Sequence, residues 1–259
     1  MSIGLEVAPD GLRSRLDEPD WAALIAAADV PGRPATALAA LEPATVATLD
    51  EPLVAAAALA LGKAPIQLEV QTGAGEHGVV AQIGCDAVAT GVAVRALVAA
   101  PDGSGPLAVP GVEVSANRTA HVIAEIMRLF PAGGQTRHAD ASPVTMPHEL
   151  SLTLHQAIRT GDDKLARLVA EQAGFSEPPD VLVSLARGSS ASATVTVRVA
   201  GHATTVVQQW LLCDVGWVLL TVQGTRVTHT VQSRDEVRDA LVRTLAGAFA
   251  AVERVSRHG

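Results

Sequence analysis

The stretch from Ala193 to Ala251 constrains this chain most, because it reads as a complete small folding unit. Val195, Val197 and Val199 alternate with Thr194, Thr196 and Arg198, the period of two expected of a strand with one buried face. Further strands are predicted over Thr204–Leu212 and Val215–Val222, on either side of Cys213-Asp214. Gln223-Gly224 then supplies a tight turn into a returning strand, Arg226–Val231. Ser233-Arg-Asp-Glu236 has the spacing of a capping box, in which a Ser oxygen accepts from the backbone three residues on while the Glu reaches back to the cap amide. Val237, Leu241, Leu245, Ala248 and Val252 follow on one helical face. That helix should lie on the sheet, with Leu241 and Leu245 near Val195 and Val197.

An earlier segment repeats this order. After a short Ala-rich helix over Leu53–Leu61, Ile66, Leu68 and Val70 alternate with polar residues, and Gly78–Gly84 and Val88–Val98 read as the next strands. A Pro/Gly loop, Pro101–Pro110, leads to Val112–Ser115 and then to a helix with Val122, Ile123, Ile126, Met127 and Phe130 on one face. Cys85-Asp86 matches Cys213-Asp214, and Ser115 matches the cap Ser233, with the Pro101–Pro110 loop as the chief insertion. The expected fold is α/β in the α+β sense: two pseudo-two-fold related halves, each a mainly antiparallel sheet followed by a packed helix, forming a central sheet flanked by helices. The expected organisation is a single domain over 1–259, with an N-terminal half at 1–134, a connecting loop at 135–148 and a C-terminal half at 149–259.

The first 50 residues are punctuated by prolines between short helical patterns, one of them marked by Trp21, Leu24 and Ile25. Pro131–Pro147 reads as a surface loop. Leu150, Leu154, Ala157 and Ile158 mark a helix after it, and Leu165, Leu168, Val169 and Ala173 a second, with a turn at Gly161-Asp162-Asp163. Ala186–Ala193 reads as a flexible connection.

Composition narrows function mainly by exclusion. A net charge of −8 without a Lys/Arg cluster argues against nucleic acid and anionic membrane as partners. Apolar residues make up 48% of the chain but aromatics only 2%, so the core must be built chiefly from Ala, Val and Leu. Two cysteines, Cys85 and Cys213, form no framework and no metal-type spacing; small buried residues are expected. MSIGLEVAPDGLRSRL lacks the order of a signal peptide, and the longest apolar run, Pro52–Leu61, is short for a bilayer. A soluble cytoplasmic protein is expected.

No cofactor, metal or catalytic set is expected. Gly73-Ala-Gly75-Glu-His-Gly78 spells a dinucleotide fingerprint, but a strand follows where a phosphate-binding helix would have to open, so it reads as a hairpin. His138, Asp140 and His148 sit on a loop without geometry for a metal, and Ser189, His202 and Asp214 lack a nucleophile elbow. Trp210 and Trp217 stand out among so few aromatics. Core packing explains them first; as partner-binding residues, one of the two indoles would have to be exposed on the second half.

The helix running into Pro65-Ile-Gln-Leu-Glu-Val70, the segment Met127-Arg-Leu-Phe-Pro-Ala-Gly-Gly134, and Gly216-Trp-Val-Leu-Leu-Thr-Val222 followed by Ser233 and a terminal amphipathic helix resemble the EspG family of ESX (type VII) secretion-associated proteins of actinobacteria. The resemblance implies a cytosolic, non-enzymatic chaperone or adaptor that binds a secreted substrate of PE/PPE type, through the sheet and helices of the second half. The alternatives are a small-molecule hydrolase or transferase with an unrecognised site, and a homodimer whose sheet edges pair. A deep pocket of convergent polar groups would favour the enzyme, and a broad shallow surface the adaptor.

Overall fold

A computed structural model describes residues 6–8, 11–28, 52–135, 142–203 and 205–258. In chain order the elements are β1 (Glu6–Ala8), β2 (Gly11–Leu16), α1 (Glu18–Ala28), α2 (Pro52–Lys63), β3 (Ile66–Ala74), β4 (His77–Cys85), β5 (Ala89–Ala99), β6 (Pro106–Ala108) and β7 (Val112–Arg118). A turn of 3-10 helix, Thr119–His121, runs into α3 (Val122–Leu129), and β8 (Val144–Pro147) precedes α4 (His148–Thr160), α5 (Asp163–Gln172) and α6 (Asp180–Arg187). The chain ends in β9 (Ala191–Val199), β10 (Thr205–Cys213), β11 (Gly216–Gln223), β12 (Arg226–Gln232) and α7 (Arg234–His258).

Among the described residues the strands form one twelve-stranded sheet in the order β1-β2-β7-β5-β4-β3-β9-β10-β11-β12-β8, with β6 added on β5. All its pairs are antiparallel. At its centre β3 and β9 pair over their full length, Ile66 with Val199 through Ala74 with Ala191. Outward from that seam each half lays its strands in the same sequence and then returns a helix, α3 or α7, to the same face. This is the two-half α+β architecture expected from the sequence.

Local chemistry explains each turn. Gly75, at φ +57°, supplies the left-handed residue of a two-residue connection from β3 to β4, so the glycine-rich motif is a hairpin in which Gly73 pairs with Gly78. Asp86 accepts from the amides of Val88 and Ala89 and shapes the following turn. Gly161, at φ +71°, ends α4, and the Asp162 carboxylate accepts from the Leu165 amide to open α5. The capping box forms as read: Ser233 accepts from the Glu236 amide at 3.3 Å while the Glu236 carboxylate accepts from the Ser233 amide at 2.7 Å.

Several local expectations are corrected. Ser115 is not a helix cap but a buried residue inside β7. With Cys85 set against Cys213, the ladders run from Ile83 through Val92 to Ser115, and from Leu211 through Val218 to Val231. Ser115 therefore corresponds to Val231. Asn117, which faces Thr90, holds the place of Ser233. The proline-punctuated start contains two strands as well as a helix, because β2 hydrogen-bonds the open edge of β7, a tertiary pairing that propensity does not reveal. Val144–Pro147, read as loop, pairs with β12, and β6 lies within the Pro101–Pro110 loop. Asp180–Arg187 is a helix that the sequence reading missed. Leu38, Leu41 and Val46, whose spacing suggests a second short helical face in the first 50 residues, lie outside the described residues.

One apolar cluster fills the space between the sheet and α3 and α7. It joins Ile66, Leu68, Val70, Val195 and Val197 to Leu241 and Leu245. Leu245 is buried there, so Leu245→Ala should cost about 2–5 kcal/mol through lost burial and the cavity left behind. A fall in urea midpoint with an unchanged slope is the expected readout, and an unchanged midpoint would mean that this helix face is not packed.

Candidate functional site

Trp210 and Trp217 are not surface anchors. Both are 0% exposed, which overturns the expectation that one indole faces solvent on a partner-binding surface. The reason lies in the register. Cys213 pairs with Gly216 across a two-residue hairpin, without a bulge, so Trp210 (opposite Leu219) and Trp217 (opposite Leu212) are diagonal neighbours on the same sheet face. Phe130 meets both edge-on, at centroid distances of 5.7 and 5.5 Å. The Trp210 Nε1–H donates to Gln232 Oε1 at 2.8 Å, and the Trp217 Nε1–H to the Gly133 carbonyl at 3.2 Å. The Arg234 guanidinium donates to the carbonyls of Met127, Phe130 and Pro131, capping the end of α3. Met127–Gly134 thus seals the tryptophan core.

The opposite sheet face has a different construction. Gly84 and Gly91 let the backbone of α2 approach the first half closely, at Ala60 and Ala57. On the second half, α4, α5 and α6 bury Met146, Val218, Val227 and Val231 against Leu154, Val169 and Leu182. Between these two covers, the central strands carry an open strip. In the pleat, Gln71, Gln82, Thr194, Arg198, Val207 and Gln209 point to this side, with Val207 60% exposed and Val222 63% exposed further along. A broad polar floor studded with β-branched residues is suited to another polypeptide rather than to a small buried substrate.

One border of the strip deepens into a cleft of about 520 Å³ between α4, α6 and the sheet, with Leu211, Leu220 and Val227 in its floor and Leu152, His155 and Arg159 on its α4 wall. His229 of β12 also lines it. Its Nε2 lies 3.4 Å from the Ser151 hydroxyl. Burial pushes the His229 imidazole below the ordinary histidine range, the neighbouring Val144 backbone pulls the other way, and His148 adds to the depression. His155 is lowered too, by burial and then by Arg159.

A depressed folded-state value means that the unfolded chain takes up the proton more readily. The contribution is present above the free histidine value near 6.5 and is lost as pH falls through the folded value. The denaturation midpoint should therefore fall as pH drops from 7 towards 5, and His229→Gln should flatten the slope. Equal slopes in both proteins would overturn this assignment.

The remaining sequence candidates do not converge. Ser189, Asp214 and His202 line three different clefts. His138 and Asp140 lie outside the described residues, and among those described no cluster of His, Cys, Asp or Glu could hold a metal ion. Cys85 and Cys213 are buried free thiols; burial, reinforced by Asp86, pushes Cys85 up to about 12, and burial chiefly raises Cys213. No helix among the described residues is long and apolar enough to cross a membrane. The open strip had no motif to announce it. Its signal was the polar half of the β3 and β9 alternation, which also reads as an ordinary wet sheet face.

No protein-family model and no curated protein sequence matches the chain. Among solved structures it resembles the Mycobacterium tuberculosis type VII secretion system chaperone EspG5, solved in complex with the PE25–PPE41 dimer: TM-score 0.55, 12% identity, covering 87% of this chain and 93% of that one. The likeness is one of fold. The full-length peroxisomal multifunctional enzyme type 2 of Drosophila melanogaster covers 86% of this chain and 48% of its own at 9% identity, but superposes at a TM-score of only 0.13 and is not a fold match.

Proposed function

We propose that this chain is a cytoplasmic, non-enzymatic adaptor of the EspG kind, which holds a secreted substrate of PE/PPE type for an ESX (type VII) secretion system. The observation that carries this reading is the open central strip, which no described element covers between α2 on one side and α4 to α6 on the other. Its fold likeness to a chaperone solved with a PE–PPE dimer supplies the class of partner. A continuous sheet gives such a surface rigidity, so that a partner docks without the chain first paying to order loops. We further read the two halves as an internal repeat within a single domain, since each lays down its strands and helix in the same order from the β3–β9 seam.

The test is calorimetric titration of the purified chain with a PE–PPE heterodimer encoded in the same genome. A 1:1 complex is expected, weakened at least tenfold by Val207→Asp on the open face and not by a charge placed at exposed Val255 of α7. No complex with any such heterodimer, or one indifferent to Val207→Asp, would overturn the proposal.

A further inference from the structure

Basic groups gather in the cleft bordering the open strip, and among the described residues no carboxylate lines it. His155 and Arg159 are one helical turn apart on α4 and His148 lies two turns before His155, so all three fall on one face. Arg187 closes the end of α6 and His229 lies in the floor. Among the described residues, neither Arg159 nor Arg187 forms an ion pair. Arg187 also borders the neighbouring cleft of Glu177, Asp180 and Asp214 without pairing with any of them. His229 is only 4% exposed and sits beneath the cleft, its Nε2 3.4 Å from the Ser151 hydroxyl. Two guanidinium groups gathered without a described counter-charge repel one another. One anion in the cleft would relieve that repulsion.

We propose that this cleft receives a carboxylate from an acidic segment of the docked polypeptide. The inference rests on the reading of the neighbouring strip as a partner surface, and it names the chemistry that the partner brings. Three features select a carboxylate carried on a chain. The floor is apolar, at Leu211, Leu220 and Val227, and Leu152 on the rim is 58% exposed, so the occupant carries hydrocarbon beside its charge. The cleft opens along the strip, where a polypeptide would lie. Two arginines at its mouth suit the forked pairing that guanidinium makes with carboxylate.

The experiment titrates the full chain at low salt with acetyl-tetraglutamate amide, with the tetraglutamine analogue and with inorganic phosphate. The expected result is binding of the glutamate peptide at least tenfold tighter than either comparator, weakened about tenfold by Arg159→Gln and by Arg187→Gln. Arg238→Gln, a change on exposed α7, should leave it unaltered. Equal binding of the glutamate and glutamine peptides, phosphate binding as tight as the glutamate peptide, or indifference to both arginine variants would each overturn the proposal.

A parallel titration with the PE–PPE heterodimer separates the two readings. Arginine-dependent peptide binding without heterodimer capture removes the secretion reading and keeps the carboxylate site. Capture that the double arginine variant leaves unchanged removes the carboxylate site and keeps the adaptor.

Discussion

Trp210→Ala is expected to lower stability by about 4 kcal/mol, close to the whole margin of a marginally stable domain. The indole is fully buried against Phe130, and its loss would leave a large void as well as an unpaired Gln232 oxygen. Trp210→Phe keeps part of the ring volume but loses the N–H, and should cost roughly half as much. Urea unfolding followed by far-ultraviolet circular dichroism measures both. A loss below about 1 kcal/mol for the alanine variant would show that the two halves do not share a tight core here. If Trp210→Ala folds and still captures the partner of the wild-type chain, the role of this indole is packing alone.

Gly91→Ala is the second large effect, and its sign is contested by two terms. Alanine restricts the unfolded chain and on that ground would stabilise by about 0.4–1 kcal/mol. Its Cβ, however, would overlap the Ala57 carbonyl of α2, a backbone group that cannot rotate away, and would also press on Leu61. Overpacking of this kind costs about 1–3 kcal/mol, so destabilisation should win, with a net loss near 2 kcal/mol. Gly84→Ala meets the Ala60 carbonyl in the same way. Gly62→Ala, in the last turn of α2 with nothing within 4 Å of the added carbon, is the control and should gain about 0.4–1 kcal/mol. A Gly91→Ala protein as stable as the parent would show that α2 does not rest on the sheet as described.

Much of this architecture was legible because the strands alternate cleanly. Val195, Val197 and Val199, and Ile66, Leu68 and Val70, announce both central strands and their buried face, and the capping box at Ser233 announces the last helix. Where the reading failed, the deciding interaction was remote in sequence. β2 and β8 are short and gain their hydrogen bonds from β7 and β12, which local propensity cannot foresee. The orientation of the tryptophans turned on one turn length at Cys213-Asp214, since an added residue would have sent one ring to the other face. The basic cleft was illegible for a similar reason: His148, His155 and Arg159 show helical spacing, but Arg187 sits on an unforeseen helix and His229 on a strand that only the tertiary fold brings beside them.

The β3–β9 seam has a consequence for how the protein is made. Ile66 finds its seam partner, Val199, only after the whole of the first half, α4, α5 and α6 have been synthesised. Until β9 emerges from the ribosome, β3 is an uncapped border, regular, nine residues long and apolar on one side, able to template pairing with any extended chain nearby. Its outward-facing Gln67, Glu69 and Gln71 weaken that template on one side only. A nascent chain stalled between these strands is thus the species most prone to aggregate. Slow translation across residues 75–190 should increase the insoluble fraction more than the same delay placed after Val199.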